Sequence, residues 1–115
     1  GTSTGGIGCE IPGRVSDCPT VAGTYASTKA GVSCTGIGEQ ITQQAAAARI
    51  VTRVDDGMPL HDAVAVTMRE SNSFNYLYGL ISLDSEGHVE VGKTAALNEV
   101  FYAFHDESSI RTFFA

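Results

Sequence analysis

An α+β fold, with helices layered on antiparallel strands, is predicted by three features of the chain. A short apolar run at Ala30–Thr35 feeds a long helical stretch beginning near Gly38. A second helical stretch covers 59–70. Beyond it, β-prone segments dominate to the C-terminus. One strand, two helices and then several strands is the order of an α+β or layered α/β domain.

The elements follow from local chemistry. Residues 1–28 are rich in Gly, Pro, Ser and Thr and read as loop with at most short strands. Ala30–Thr35 (AGVSCT) reads as a buried strand that ends at Gly36. A helix then runs from about Gly38 to Asp55, through the alanines Ala45–Ala48. Ile41, Ala45, Ala48 and Val51 or Thr52 lie along one stripe at helical spacing. Gly57 suits the helix stop. Pro59 suits the first turn of the second helix, whose apolar side is Leu60, Ala63, Val64, Thr67 and Met68. Ser71–Asn75 reads as a polar break.

Tyr76–Asp84 (YLYGLISLD) is strongly β-prone, Ser85–Gly87 is a turn, and His88–Val91 alternates as a return strand. Val100–His105 is a further strand, and Ile110–Ala115 either pairs at an edge or forms a tail. All 115 residues are expected to form one domain. Two helices would cover only one face of such a sheet, so the other face calls for a partner sheet from further sequence or another chain.

Composition narrows the function classes. Hydrophobic residues make up 43% and charged residues 17%, which is globular rather than disordered. Seven basic residues face thirteen acidic ones, for a net charge of -6, with no basic cluster. Such a surface repels phosphate backbones, and nucleic-acid binding is set aside. No apolar run approaches the roughly 20 residues needed to cross a bilayer, so no membrane partner is expected. The opening Gly1-Thr2-Ser3-Thr4-Gly5-Gly6, without initiator Met or signal peptide, reads as the interior of a processed or truncated product. Cys9, Cys18 and Cys34 fit neither a C-x-x-C pair nor a zinc knuckle. With no N-x-[ST] sequon either, a reducing, cytoplasmic setting is expected.

Three clusters could carry chemistry. Thr2-Ser3-Thr4-Gly5-Gly6 sets hydroxyls beside glycines that permit close backbone approach, although alone it reads as an ordinary turn. Pro12-Gly13-Arg14-Val15-Ser16-Asp17 offers a guanidinium fork for a carboxylate and an acid for an ammonium. By spacing alone, a surface salt bridge is clearly the better explanation of that pair. Ser33-Cys34-Thr35-Gly36-Ile37-Gly38-Glu39 carries a strand into a helix start, where amides attract negative charge and can stabilise an oxyanion. A Gly-containing cap is its plainer reading. His61, His88 and His105 share no metal-ligand pattern and read as surface or structural, so no metal is expected. Cys34 reads as a buried thiol rather than a nucleophile, and Asp55, Asp56 and Asp62 as solvated helix ends.

In order, TSTGG, PGRVSD, the Gly23–Ala26 segment (GTYA) and SCTGIGE resemble the β-subunit of plant-type L-asparaginases, also called isoaspartyl aminopeptidases. These are N-terminal nucleophile hydrolases. GLISLDSEGHV at Gly79–Val89 is similar to the family's Gly-rich strand and hairpin, while the stretch after Gly92 is unfamiliar. The resemblance implies a four-layer αββα sandwich with two antiparallel sheets. It implies a precursor that cuts itself before a Thr, which then acts as nucleophile with its own α-amino group as base. That Thr belongs before the TSTGG register, outside this chain, and Thr2 is not its match.

By the same resemblance, Thr4 bonds near the nucleophile, Arg14 clamps the substrate's α-carboxylate and Asp17 holds its α-ammonium. Thr35 and Gly36 match the oxyanion-stabilising pair, and Gly38 matches a glycine that touches substrate. The implied activity is hydrolysis of β-aspartyl amides, in L-asparagine or isoaspartyl peptides. The implied partners are an α-subunit, the missing β-subunit segment and a second αβ unit. No organic cofactor is implied, and the need for a monovalent cation is left open. Ser16 stands where a Gly is usual, Cys18 replaces a common Ser, and Gly79 follows Tyr78 where two glycines are typical. Two alternatives are a glycosylasparaginase, which Gly6 disfavours, and a non-catalytic amino-acid-binding relative.

Overall fold

The computed structural model describes residues 1–2 and 11–115. Four antiparallel strands, β1 (Thr24–Ala26), β2 (Ala30–Gly36), β3 (Tyr78–Asp84) and β4 (Val89–Lys93), form a sheet in that order. Register puts Cys34 opposite Leu80, Thr35 opposite Gly79 and Gly36 opposite Tyr78. Opposed residues in an antiparallel pair share a face, and successive residues along a strand change face. Val32, Cys34, Tyr78 and Leu80 therefore look to one side, and all four are buried there with the helices' apolar residues. Ile81 and Leu83, on the opposite side, keep 38% and 51% of their exposure. The sheet has one dry face and one open face, as helices packed on a single side require.

The single helix expected over 38–55 is in fact two, α1 (Gly38–Gln44) and α2 (Ala46–Asp55). The chain turns at Ala45, which sits in the left-handed region at φ 50°. Bare methyl groups at Ala45–Ala48 let another backbone approach closely. The Ala22 carbonyl accepts from the Ala47 amide at 2.8 Å, and the Val21 carbonyl from the Ala48 amide at 3.0 Å. Those bonds satisfy amides that an uninterrupted helix would have bonded internally. The break also resets the helical phase. Ile41 and Gln44 are buried in α1, then Ala46, Ala47, Ile50 and Val51 in α2, in place of the expected stripe through Ala45 and Ala48.

The second helical stretch, α3 (Leu60–Ser73), runs through half of the expected polar break. Its polar residues are put to use inside. Ser71 is fully buried, donates to the Thr67 carbonyl at 2.8 Å and lies 2.5 Å from the Tyr78 hydroxyl. Burial is the main cause that pushes the Tyr78 phenol up to about 12. Arg53 of α2 donates to Glu70 of α3 at 2.7 Å and Arg49 does so at 3.1 Å, which ties the two helices together. Burial would raise the Glu70 carboxyl, but bonds and charge from both arginines hold it below its ordinary value. Gly92 of β4 lies under α3, where a Cβ would come within 2.8 Å of Val64 Cγ1.

The C-terminal residues form a separate hairpin of β5 (Phe101–His105) and β6 (Ile110–Phe114), so the last segment pairs rather than trails. Tyr102, Phe104 and Phe113 share one of its faces, with ring centroids 5.3 and 5.6 Å from Phe113. A cavity of about 820 Å³ separates the hairpin from the open sheet face, with Ile81, Leu83 and Val89 among its lining on one side and Tyr102 and Phe104 on the other. Within the described residues this second sheet has two strands, and antiparallel sheets are thereby present on both sides of that cavity. None of the helices is long and apolar enough to cross a membrane among the described residues.

At the far end of the sheet the β3–β4 turn gathers Asp84, Glu86 and His88, with their ligand-type atoms within 4.8 Å of one another. Asp84 already accepts from the Glu86 and His88 amides and meets His88 Nδ1 at 2.8 Å. The bond to Asp84 is the main cause that raises the His88 imidazole above its ordinary value. The cluster closes a turn.

Candidate active site

The end of β2 and the start of α1 meet the loop at 11–23, and most of the sequence-predicted residues gather there. Gly36 closes β2 at φ 136°, a conformation that L side chains rarely adopt. A Cβ on it would lie 2.6 Å from Tyr78 Cα and 2.7 Å from the Leu77 carbonyl oxygen. The Leu77 carbonyl also accepts from the Ile37 amide at 3.0 Å, so the neighbouring strand fixes the turn that starts α1. Thr35, half-buried, precedes that turn and faces away from Cys34. Gly38 is the first residue of α1 and is buried.

Asp17 is 5% exposed, although it belongs to a loop. Its backbone carbonyl accepts from the Thr20 amide at 2.9 Å and the Thr20 hydroxyl at 2.7 Å, a turn that directs the side chain inward. Two glycines make room for it. A Cβ at Gly38 would overlap Ser16 Oγ and come within 2.7 Å of Asp17 Oδ1. A Cβ at Gly23 would overlap the Asp17 carbonyl and come within 2.5 Å of Oδ2. The Gly23 carbonyl accepts from the Cys34 amide at 2.8 Å, which anchors this floor to β2.

The two carboxylate oxygens differ. Oδ1 accepts from the Ser16 hydroxyl at 2.9 Å, whereas Oδ2 is buried with no hydrogen-bond partner among the described residues. An unpaired buried acceptor costs about 1–3 kcal/mol, and more when charged. Native structures keep few of them without a reason. Its negative charge is felt nearby. Burial chiefly, then Asp17 and Cys18, push the Cys34 thiol far up, so Cys34 is held as an inert thiol.

Arg14 reaches the same corner from the other end of the loop. Its guanidinium donates to Glu39 at 2.5 Å, and its side chain is 29% exposed. The hydrogen bond from Arg14 is the first cause that holds the Glu39 carboxyl below its ordinary value. The Arg14–Glu39 pair ties the loop to the start of α1. The alternative of a local Arg14–Asp17 surface pair does not describe this corner. Arg14 meets Glu39, and Asp17 turns inward to Ser16.

Arg14, Asp17 and Gly38 thus meet at one corner, and Gly36 with Thr35 adjoin it through β2. Thr4 lies outside the described residues. On the open sheet face, two residues before Thr35, Ser33 donates its hydroxyl to the Thr2 carbonyl. Sequence reasoning passed over three residues, Gly23, Ser16 as a hydrogen-bond donor, and Glu39 as the partner of Arg14. All three fall in quoted motifs, Gly23 in GTYA, Ser16 in PGRVSD and Glu39 at the end of SCTGIGE, and no motif showed the contact.

A family model described as Asparaginase matches residues 1–115. The isoaspartyl peptidase/L-asparaginase of Synechocystis sp. is 46% identical over 110 residues, covering 96% of this chain and 33% of that protein. The plant-type L-asparaginase of Pyrococcus abyssi is 37% identical over 110 residues, covering 93% and 35%. The isoaspartyl peptidase of Escherichia coli is 42% identical over 92 residues, covering 76% and 29%. The chain spans about a third of the length of these relatives.

Proposed function

The chain belongs to the asparaginase family, and from that membership we propose that it carries the substrate-anchoring part of a hydrolase of β-aspartyl amide bonds. L-Asparagine and isoaspartyl peptides are the substrates of this reading, in line with the names of its relatives. One observation carries it: a buried carboxylate oxygen, Oδ2 of Asp17, without a partner among the described residues, on the same loop as Arg14, whose guanidinium bonds Glu39 at the start of α1. Such an oxygen is completed by a bound cation, and the neighbouring Arg14 suits the carboxylate of the same α-carbon.

In this reading the aspartyl end of the substrate is held by its α-carboxylate on Arg14 and its α-ammonium on Asp17, against Gly38. The nucleophile is a Thr supplied by sequence outside these 115 residues, exposed by self-cleavage of a precursor and assisted by Thr4. Its hydroxyl attacks the side-chain carbonyl carbon and its proton passes to the Thr α-amino group. Thr35 and Gly36 stabilise the resulting oxyanion. The C–N bond breaks, the amine leaves with that proton, and an aspartyl ester remains. Water then cleaves the ester and releases aspartate.

The proposal extends to assembly. The open sheet face and the two-stranded hairpin are completed as the inner sheets of the four-layer sandwich by an α-subunit and the β-subunit segment that bears the nucleophile. Two such αβ units pair, in a cytoplasmic setting, with no organic cofactor. The test is Arg14→Ala in the whole enzyme, assayed on an isoaspartyl dipeptide. Turnover at low substrate is expected to fall by at least about a hundredfold, the loss of a charge-assisted bidentate contact. Near-normal turnover would remove Arg14 from the site.

A further inference from the structure

We propose that Ser16 is a positioning residue that sets the Asp17 carboxylate for its cationic ligand. This rests on the ammonium-binding reading of Asp17. A carboxylate on a short side chain turns about one broad torsion. With neither oxygen held, a buried Asp17 would rotate to share its cost between both. The Ser16 hydroxyl, 2.9 Å from Oδ1, removes that freedom and leaves Oδ2 as the carboxylate oxygen without a partner among the described residues.

Ser16 is itself fixed in place. Its Oγ occupies the space that a Gly38 side chain would need, so the first residue of α1 backs the hydroxyl directly. Gly23 confines the opposite edge of the carboxylate, 2.5 Å from where its own Cβ would stand. The ligand's ammonium therefore meets one oxygen in one orientation, and the order of contacts is Gly38, Ser16 Oγ, Asp17 Oδ1, then Oδ2 and the ligand. A Gly in place of Ser16 would hold no such donor. The hydroxyl accordingly tunes affinity for the amino group and leaves recognition of the carboxylates to other residues.

Calorimetric titration of the whole enzyme with L-aspartate and with succinate, which lacks the amino group, separates these contributions. Ser16→Ala is expected to weaken aspartate about tenfold, in keeping with a hydrogen bond to a charged group. Succinate is expected to change by less than twofold, and Ser16→Ala in an Asp17→Asn background to add nothing for aspartate. Equal weakening of both ligands, or no weakening of either, overturns the role of Ser16 while Asp17 keeps its own. If Asp17→Asn alone binds aspartate as tightly as the parent, the ammonium reading fails and the Ser16 proposal falls with it. A calorimetric melt of each variant verifies that the titrated protein is folded, and Ser16→Gly, which also removes the donor, must reproduce the Ser16→Ala pattern.

Discussion

Asp17→Asn separates what a residue does for folding from what it does for a ligand. Asp17 is 5% exposed and one of its oxygens has no partner. In the ligand-free protein that oxygen costs about 1–3 kcal/mol, with a surcharge for its charge. Asn keeps the shape and removes the charge, so the free enzyme should melt no more than about 2 °C lower, and a gain of about 1 kcal/mol would raise its Tm by several degrees. For an amino-acid ligand the same change strands a buried ammonium. Removing one partner of a buried charge pair costs about 2–5 kcal/mol, which is about 30-fold to several-thousand-fold in affinity. The assay is paired: a calorimetric melt without ligand and kcat/KM on L-asparagine. Stability and activity should move apart. A variant that melts far lower yet retains parental kcat/KM would make Asp17 a folding residue and refute the reasoning.

Gly36→Ala meets backbone on both sides, at 2.6 Å from Tyr78 Cα and 2.7 Å from the Leu77 oxygen, at φ 136°. Since no flexible side chain can yield, a loss of about 3 kcal/mol or more is expected in denaturant unfolding, and an unchanged midpoint would contradict the turn described. Ala45→Gly relieves the left-handed residue at φ 50° and should stabilise by about 0.5–1 kcal/mol; a lower Tm would speak against the break between α1 and α2. Glu70→Gln should cost about 1 kcal/mol at neutral pH, where Arg49 and Arg53 hold the carboxylate on a partly exposed seam. Because the folded-state pKa of Glu70 is lowered from 4.5, its contribution is present above that pH and is lost as pH falls through the lowered value. The Tm gap between parent and Glu70→Gln should therefore close in acid, and a gap independent of pH would exclude the ion pair as its source.

Much of the fold was legible in order and type. Both helical stretches, the strand before them and the hairpin after them stand where apolar spacing, Pro59 and Gly57 put them. The errors share one cause. The four alanines at 45–48 have high helix propensity and no means of signalling that Val21 and Ala22 would bond their amides. Ser71–Ser73 look like a break because their polarity is local, whereas their partners, Tyr78 and the Ala95 amide, arrive from distant chain. At the site, the PGRVSD and SCTGIGE motifs picked out Arg14, Asp17, Thr35, Gly36 and Gly38, and the fold brings the two motifs to one corner. Their chemistry was not legible, since a guanidinium and an acid three residues apart fit a surface pair better than a clamp.

The amino-acid sequence by itself determined the α+β class, the family and the residue types available for charge recognition, because periodicity and ordered motifs are properties of the chain alone. Tertiary structure alone decided that Asp17 is buried with one oxygen unfilled, that Glu39 faces Arg14, and that Gly23 and Gly38 floor the carboxylate. Burial and partner choice depend on atoms far apart in sequence, and the cost of an unpaired charge arises only once water has been excluded around it.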